Sequence, residues 1–458
     1  MACNTNYNIS GIADININNI QQSEEQDSFY VQSTGVTLNP DWMGELADKI
    51  ANKKLREIVI PGTHDSLTYD ISQNSQLAPD NPVNSTMANY QAFKEKVHKL
   101  FSKEEITDSL LKKFISGWSK TQSKSAYEQL MSGIRYFDLR VLRRATDGEM
   151  FVVHGMYSIN IDILIYDISR FIKEHPKEII ILDFNHLYNM KTGHEILIKK
   201  LNDAFGNSKF IPRSKTVSNT LNDFWQAEQQ IIAIYDDQQS VEKHPELWSQ
   251  ESIVSPWANA QDIWGLKTGL QDIMAGNKIY NRKKENFDCP QINEHCQKIS
   301  NDKLFVLQGI ITPDPKMILG TLPLFFTLNK AQKSFDKNTK DLENINKRIA
   351  EVTNKFNNAP FFIKPFYSIQ RDALIDKKHF NEAQVAVAKF TLKNAQKEYA
   401  KKQRSLKDIA STTTPFITDM LRGEWSDKDI NIVITDWFEL SNYVDTIIEL
   451  NRKKFLVM

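Results

Sequence analysis

EIVIPGTHDS (57–66) is the stretch that decides the fold. A short run of aliphatic residues ends abruptly at Pro61-Gly62-Thr63, and His64, Asp65 and Ser66 follow. Near-continuous apolar runs of this length suit parallel strands buried on both faces. Polar residues gathered at the C-terminal ends of such strands form the mouth of a β/α barrel. Working outward, the same pattern recurs. IRYFDLRV (134–141), EMFVVHG (149–155), EIIILDF (178–184), QIIAIYDD (230–237), ESIVSPW (251–257), KLFVLQGIIT (303–312) and NIVITDWF (431–438) bring the runs to eight. Helical patterns lie between them: SAYEQLMSG (125–133), NIDILIYDISRFIKEHP (160–176), ended by Pro176, and GHEILIKKLNDAFG (193–206), closed by Gly206. Eight strands alternating with helices give an α/β fold, a β/α barrel of the TIM type, with a doubly wound open sheet as the competitor.

The chain has 458 residues, and 41% of them are apolar, enough for one large core with an extension. Lys plus Arg equals Asp plus Glu, 57 each, so net charge is zero. That balance argues against nucleic acid as a main partner. Three cysteines, Cys3, Cys289 and Cys296, are too few for a disulfide framework. Cys289, His295 and Cys296 resemble half a zinc site with no second half, so reduced thiols are expected. The first residues lack the basic and apolar regions of a signal peptide and read as a polar, partly disordered leader. No run reaches the roughly 18 apolar residues of a membrane span. The expected location is cytoplasmic or membrane-peripheral, with leaderless secretion as the alternative.

Two stretches interrupt the alternation. Residues 85–125 form an insertion after the first strand, and residues 328–410 a longer one before the last. In the latter, Phe335, Leu342, Ile345, Ile349, Val352 and Phe356 fall on a 3,4 spacing. Val385, Ala388, Leu392, Ala395, Tyr399, Leu406 and Ile409 repeat it, and Asn357, Asn358 and Pro360 break the pattern between the two halves. The expected organisation is a leader over 1–45, a barrel over 46–327 plus 411–458, and a coiled-coil helical hairpin over 328–410, whose protein partner is unknown.

Of nine histidines, two sit at strand ends: His64 after the first run and His154 after the third. Both therefore point at one barrel mouth, where two imidazoles make a natural base and acid. Asp138 and Arg140 share a strand face, so Arg140 enters the same mouth. Asp436 ends the last run and could orient His64. Two imidazoles, one guanidinium and carboxylates at Asp65, Asp138 and Asp436 suit a phosphodiester, whose oxygens the cation neutralises while the imidazoles move protons. The bland alternatives are an internal Asp138–Arg140 ion pair and ordinary strand-end histidines. Asp138, Asp183, His186 and Trp257 are candidate substrate contacts, and Trp257 is equally a core tryptophan.

These residues resemble the X-domain of phosphatidylinositol-specific phospholipase C. IVIPGTHDS, GIRYFDLRV, FVVHG, EHPKEIIILDF and IVITDWF are similar to that family in order and spacing, over roughly residues 50–325 and 415–452. The resemblance implies a distorted β/α barrel. It implies His64 as the base that takes the inositol 2-hydroxyl proton and His154 as the acid that protonates the diacylglycerol oxygen. Arg140 would stabilise the phosphate, Asp436 would orient His64, and Asp65 would assist the leaving-group side. The product would be a cyclic inositol phosphate. Calcium-dependent members carry asparagine after the first histidine and a carboxylate at the position of Arg140. Asp65 and Arg140 stand there in this chain, which implies catalysis without a cofactor or metal. A calcium or magnesium site that includes Asp65 and Asp138 is the alternative.

A phosphoinositide lipid is thus the expected substrate. Peripheral membrane contact would use LGTLPLFFTL (319–328) or APFFIKPFY (359–367), unless both clusters pack the hairpin onto the barrel. The competing functions are an inactive lipid-binding scaffold and a metal-dependent glycerophosphodiester or sphingomyelin phosphodiesterase.

Overall fold

The computed structural model describes residues 37–79, 107–275, 302–400 and 405–455, with a few residues between them at 94, 95, 97, 280–281 and 296–297. Ten strands form one sheet: β1 (Ile60–Thr63), β2 (Tyr136–Arg143), β3 (Met150–Val153), β4 (Tyr157–Asn160), β5 (Ile180–Tyr188), β6 (Ile231–Tyr235), β7 (Leu247–Ser249), β8 (Ile253–Val254), β9 (Leu304–Gln308) and β10 (Ile432–Thr435). The helices that matter below are α1 (Asp108–Ser119), α2 (Ala126–Met131), α3 (Ile161–Glu174), α4 (Gly193–Phe205), α5 (Ile263–Met274), α6 (Pro315–Asn358), α7 (Lys364–Ala400), α8 (Leu406–Arg422) and α9 (Tyr443–Lys454).

Eight strands make a parallel wall in the order β7-β6-β5-β2-β1-β10-β9-β8. Among the described residues no pairing joins β7 to β8, so the barrel is nearly closed. A single turn of 3₁₀ helix, Gln250–Ser252, carries the chain across that seam. The residues of β1, β6 and β10 are all buried, as the continuous apolar runs require of strands covered on both faces.

One strand assignment is corrected. The run 149–155 does not join the parallel wall: β3 pairs antiparallel with Val141–Arg143 of β2. With eight residues β2 is twice as long as β1, and its far end folds back on itself through a tight turn at Gly148 (φ +79°). The wall's eighth strand is instead Leu247-Trp248-Ser249, three residues and too short to show as an apolar run.

The end of the leader expected over 1–45 is part of the fold. Residues 1–36 lie outside the described residues, but Trp42 and Met43 are buried in the core. Glu178 accepts hydrogen bonds from the amides of Met43 and Gly44 and pairs with Arg135 at 2.8 Å, both side chains fully buried. Arg135 also donates to the carbonyls of Leu130, Ile134 and Pro40, so the charge is fully engaged.

The long insertion is an antiparallel pair of helices. Asp314 caps α6 by accepting from the Met317 amide, so the helix starts at Pro315, well before residue 328. Of the cluster 319–328, Leu322, Phe325 and Phe326 are buried, and Phe325 meets Phe114 of α1 at 5.3 Å. That cluster packs the hairpin onto the barrel and is not an exposed turn. The α6–α7 seam uses the residues that the 3,4 spacing picked out, with Ile345, Ala388 and Leu392 buried. Leu406 and Ile409 belong to α8, against the barrel. The break falls at 359–363, where Phe361 and Phe362 are 90% and 80% exposed. No helix among the described residues is long and apolar enough to cross a membrane. The half zinc site weighed at Cys289, His295 and Cys296 falls outside the described side chains.

Candidate active site

The mouth is built from the turn that follows β1. Thr63 donates to Gln129 of α2, and Ser66 donates to the Thr63 carbonyl. Asp65 takes a left-handed conformation (φ +40°), which aspartate tolerates better than most residues. Its amide donates to the Asp138 carboxylate at 3.0 Å, and the Ser66 hydroxyl accepts from the Asp138 amide at 2.8 Å. The turn is therefore clamped to β2.

His64 and His154 face each other with ring centroids 6.4 Å apart and planes at 74°. His64 Nδ1 lies 2.8 Å from Asp436 Oδ1 at the end of β10. His154 Nδ1 lies 2.8 Å from the Ser119 carbonyl at the end of α1. A carbonyl only accepts, so Nδ1 of His154 carries a proton and Nε2 faces the site. Asp65 stands between the two rings. Its Oδ2 is 3.3 Å from Nε2 of each histidine, and its Oδ1 is 2.5 Å from Nε of Arg140. The carboxylate is almost completely buried while Arg140 is 27% exposed, so the cation keeps a face open to the mouth.

The charges shape one another. Burial alone would push His64 down, but the carboxylates of Asp65, Asp436 and Asp138 outweigh it and raise its pKa to about 9. Burial would push Asp65 up, and Arg140, His154, His64 and His186 together hold its carboxyl well below the usual range. For Asp436 burial prevails over the His64 contact and the pKa rises.

The remaining candidates are placed as follows. Asp138 lies beneath the histidines, its Oδ2 4.0 Å from His64 Nε2. His186 is paired in register with Arg140, displaced by a bulge at Asn185. Asn185 hydrogen-bonds Asp138 and meets His186 Nδ1. Asp183 is buried within the barrel, held by the Tyr136 hydroxyl and Gln250 at 2.6 Å each, and burial pushes it up to about 7. Trp257 is half-buried, with its indole N–H on Thr312 at 2.8 Å. Sequence reasoning missed Ser119, Gln122 and Asn185. Gln122 donates to the carbonyls of His64 and Thr435 and so staples β1 to β10 at the mouth. Only Asn185 had a signal, its place between Asp183 and His186. The other two sit in the insertion, where nothing in the text marks a backbone carbonyl or an amide as a positioning group.

His64, Asp65 and Asp138 offer three ligand atoms within 4.8 Å of one another, enough to begin a cation site. Within that group Asp65 also pairs with Arg140, whose Nε lies 2.5 Å from its Oδ1.

Residues 104–235 match the family model described as phosphatidylinositol-specific phospholipase C, X domain. The human PI-PLC X domain-containing protein 2 is 32% identical over 283 residues, 61% of this chain and 80% of that protein. The human PI-PLC X domain-containing protein 3 is 32% identical over 255 residues, 55% of this chain and 73% of that one. Among solved structures, a mutant phosphatidylinositol-specific phospholipase C from Staphylococcus aureus overlays with a TM-score of 0.46 at 14% identity, covering 90% of this chain and 97% of that one. With four fifths of the human protein 2 matched at this identity, the chain belongs to the PI-PLC X-domain family.

Proposed function

We propose that this protein cleaves a phosphoinositide lipid at its phosphodiester bond by general acid–base catalysis, without a metal ion. His64 Nε2 removes the proton of the inositol 2-hydroxyl, and that oxygen attacks phosphorus. The bond from phosphorus to the diacylglycerol oxygen breaks, and His154 Nε2 returns a proton to the leaving oxygen. A cyclic inositol phosphate and diacylglycerol result. Arg140 meets the phosphate oxygens as charge builds on them, and Asp436 holds His64 in orientation. His186 and Trp257, at the rim, are the proposed headgroup contacts; Asp183, tied to Tyr136 and Gln250, is left out.

The observation that carries this reading is the Asp65 carboxylate, which links base, acid and cation in one buried cluster. Release of headgroups from a mixed-lipid panel tests it, with His64→Ala and His154→Ala as controls. Release undiminished by either change would defeat the mechanism. Turnover lost in EDTA and restored by Mg²⁺ or Ca²⁺ would replace the metal-free scheme with one centred on His64, Asp65 and Asp138.

Access to lipid is assigned to the hairpin tip, where Phe361, Phe362 and Phe366 are 90%, 80% and 58% exposed. Apolar side chains presented this way enter the boundary between headgroups and acyl chains.

A further inference from the structure

The helix α7 has two apolar faces, and α6 covers only one. The other carries Ile369, Phe380, Val387 and Phe390, which are 70%, 64%, 67% and 66% exposed. With Ala373, Asp376 and Ala383, also exposed, they fall at intervals of 4, 3, 4, 3, 4 and 3 residues. That is a narrow a/d seam of the kind that meets another helix. An interfacial helix shows a broader apolar face. The seam borders a groove of about 340 Å³ lined in part by the small residues Ala331, Ser334, Ala383 and Ala388. Bulky and small residues thus share one surface, the condition for self-complementary packing.

We propose that a second copy of this chain covers this face, its α7 pairing antiparallel with α7 of the first. Antiparallel helices place a positions against d positions. One register sets Phe380 against Ala383 of the second copy and Ala373 against Phe390, large on small in both layers. Symmetry repeats each pair. In the same register Asp372 lies beside the seam two positions from level with Lys393 of the second copy, close enough for opposite charges to flank the seam at both ends. Asp376 falls opposite Val387 and weakens the seam, as polar seam residues do in exchange for fixing register. An aromatic side chain offers about 150–250 Å². The exposed seam therefore provides roughly 500 Å² per copy, and specific interfaces begin near 1,000 Å² in total. The pairing is independent of the catalytic reading, because no mouth residue takes part.

Sedimentation equilibrium of the full chain across micromolar concentrations tests this. The expected result is a reversible dimer that Phe380→Glu with Phe390→Glu converts to monomer, with an unchanged circular dichroism spectrum. Asp372→Lys is expected to weaken the dimer about tenfold, and adding Lys393→Asp to restore it. A chain that stays monomeric at all concentrations overturns the proposal. So does a monomer that binds anionic phosphatidylserine vesicles and loses binding with the Phe380/Phe390 change, which would assign the face to lipid. A dimer insensitive to the glutamates places the interface elsewhere and overturns it as well. A charge pair that fails to restore the dimer removes the antiparallel register.

Discussion

The barrel mouth and the hairpin follow opposite rules. At the mouth the charged side chains are held by neighbours: Asp65 by Arg140 and two histidines, His64 by Asp436, Asp138 by the Asp65 amide and the Asn185 side chain. Along the hairpin the conspicuous side chains are apolar and face outward. A buried polar cluster is costly unless fully paired, so it persists where its geometry does chemical work. Exposed aromatics are costly for the opposite reason, and they mark a surface that something else completes. The mouth pairs its charges internally, and the hairpin leaves apolar side chains at the surface.

The largest expected effects belong to the mouth. His64→Ala and His154→Ala should each lower kcat/KM by about 10²–10⁴-fold in a headgroup-release assay. Asp436→Asn should cost a comparable factor, because an amide can donate to Nδ1 and turn the lone pair away from the substrate. Retained activity in Asp436→Asn would separate His64 orientation from catalysis and dissolve the contrast. Below the mouth, Glu178→Ala strands the buried Arg135 and should cost about 3–5 kcal/mol in chemical denaturation. No hairpin substitution should approach that.

The pH profile sharpens the contrast further. His64 must lose its proton to act as base, so kcat/KM should climb through neutrality toward pH 9. The raised pKa also stabilises the fold: that contribution is complete below pH 6.5, the ordinary histidine value, and fades as pH rises through about 9. Asp65→Asn removes a negative neighbour, so the acid limb should move to lower pH even as maximal turnover falls. An unmoved limb would assign that ionisation to another group. The smallest effect on stability is expected at the tip. Phe361→Ser with Phe362→Ser should change unfolding free energy by under about 0.5 kcal/mol, yet reduce co-sedimentation with phosphatidylinositol vesicles. Undiminished binding would discard the tip as the lipid contact.

Much of this was legible in the sequence, for a physical reason. Strands buried on both faces must be continuously apolar, so β1, β5, β6, β9 and β10 announced themselves. Their polar ends then named His64, Asp183 and Asp436. The run ending in His154 looked the same, although β3 runs antiparallel outside the wall: hydropathy records burial and not strand direction. The strand β7 was silent because three residues carry no period. The 3,4 spacing locates the inner seam of the hairpin, but equal spacing on the outer face of α7 carries no mark of its own, since only the structure tells which seam is filled.

The pairing of His64 with Asp436 spans 372 residues. Between them in sequence lie nearly all of the wall strands and the whole hairpin. During synthesis, His64 therefore lacks its Asp436 partner while most of the molecule is already made. β1 waits for β10 to slot in beside it, a non-local closure of the kind that comes late in folding. A growing chain with His64, Asp65, Arg140 and His154 all in place still lacks its last strand. Translation order itself leaves the mouth incomplete until the last strand is in place.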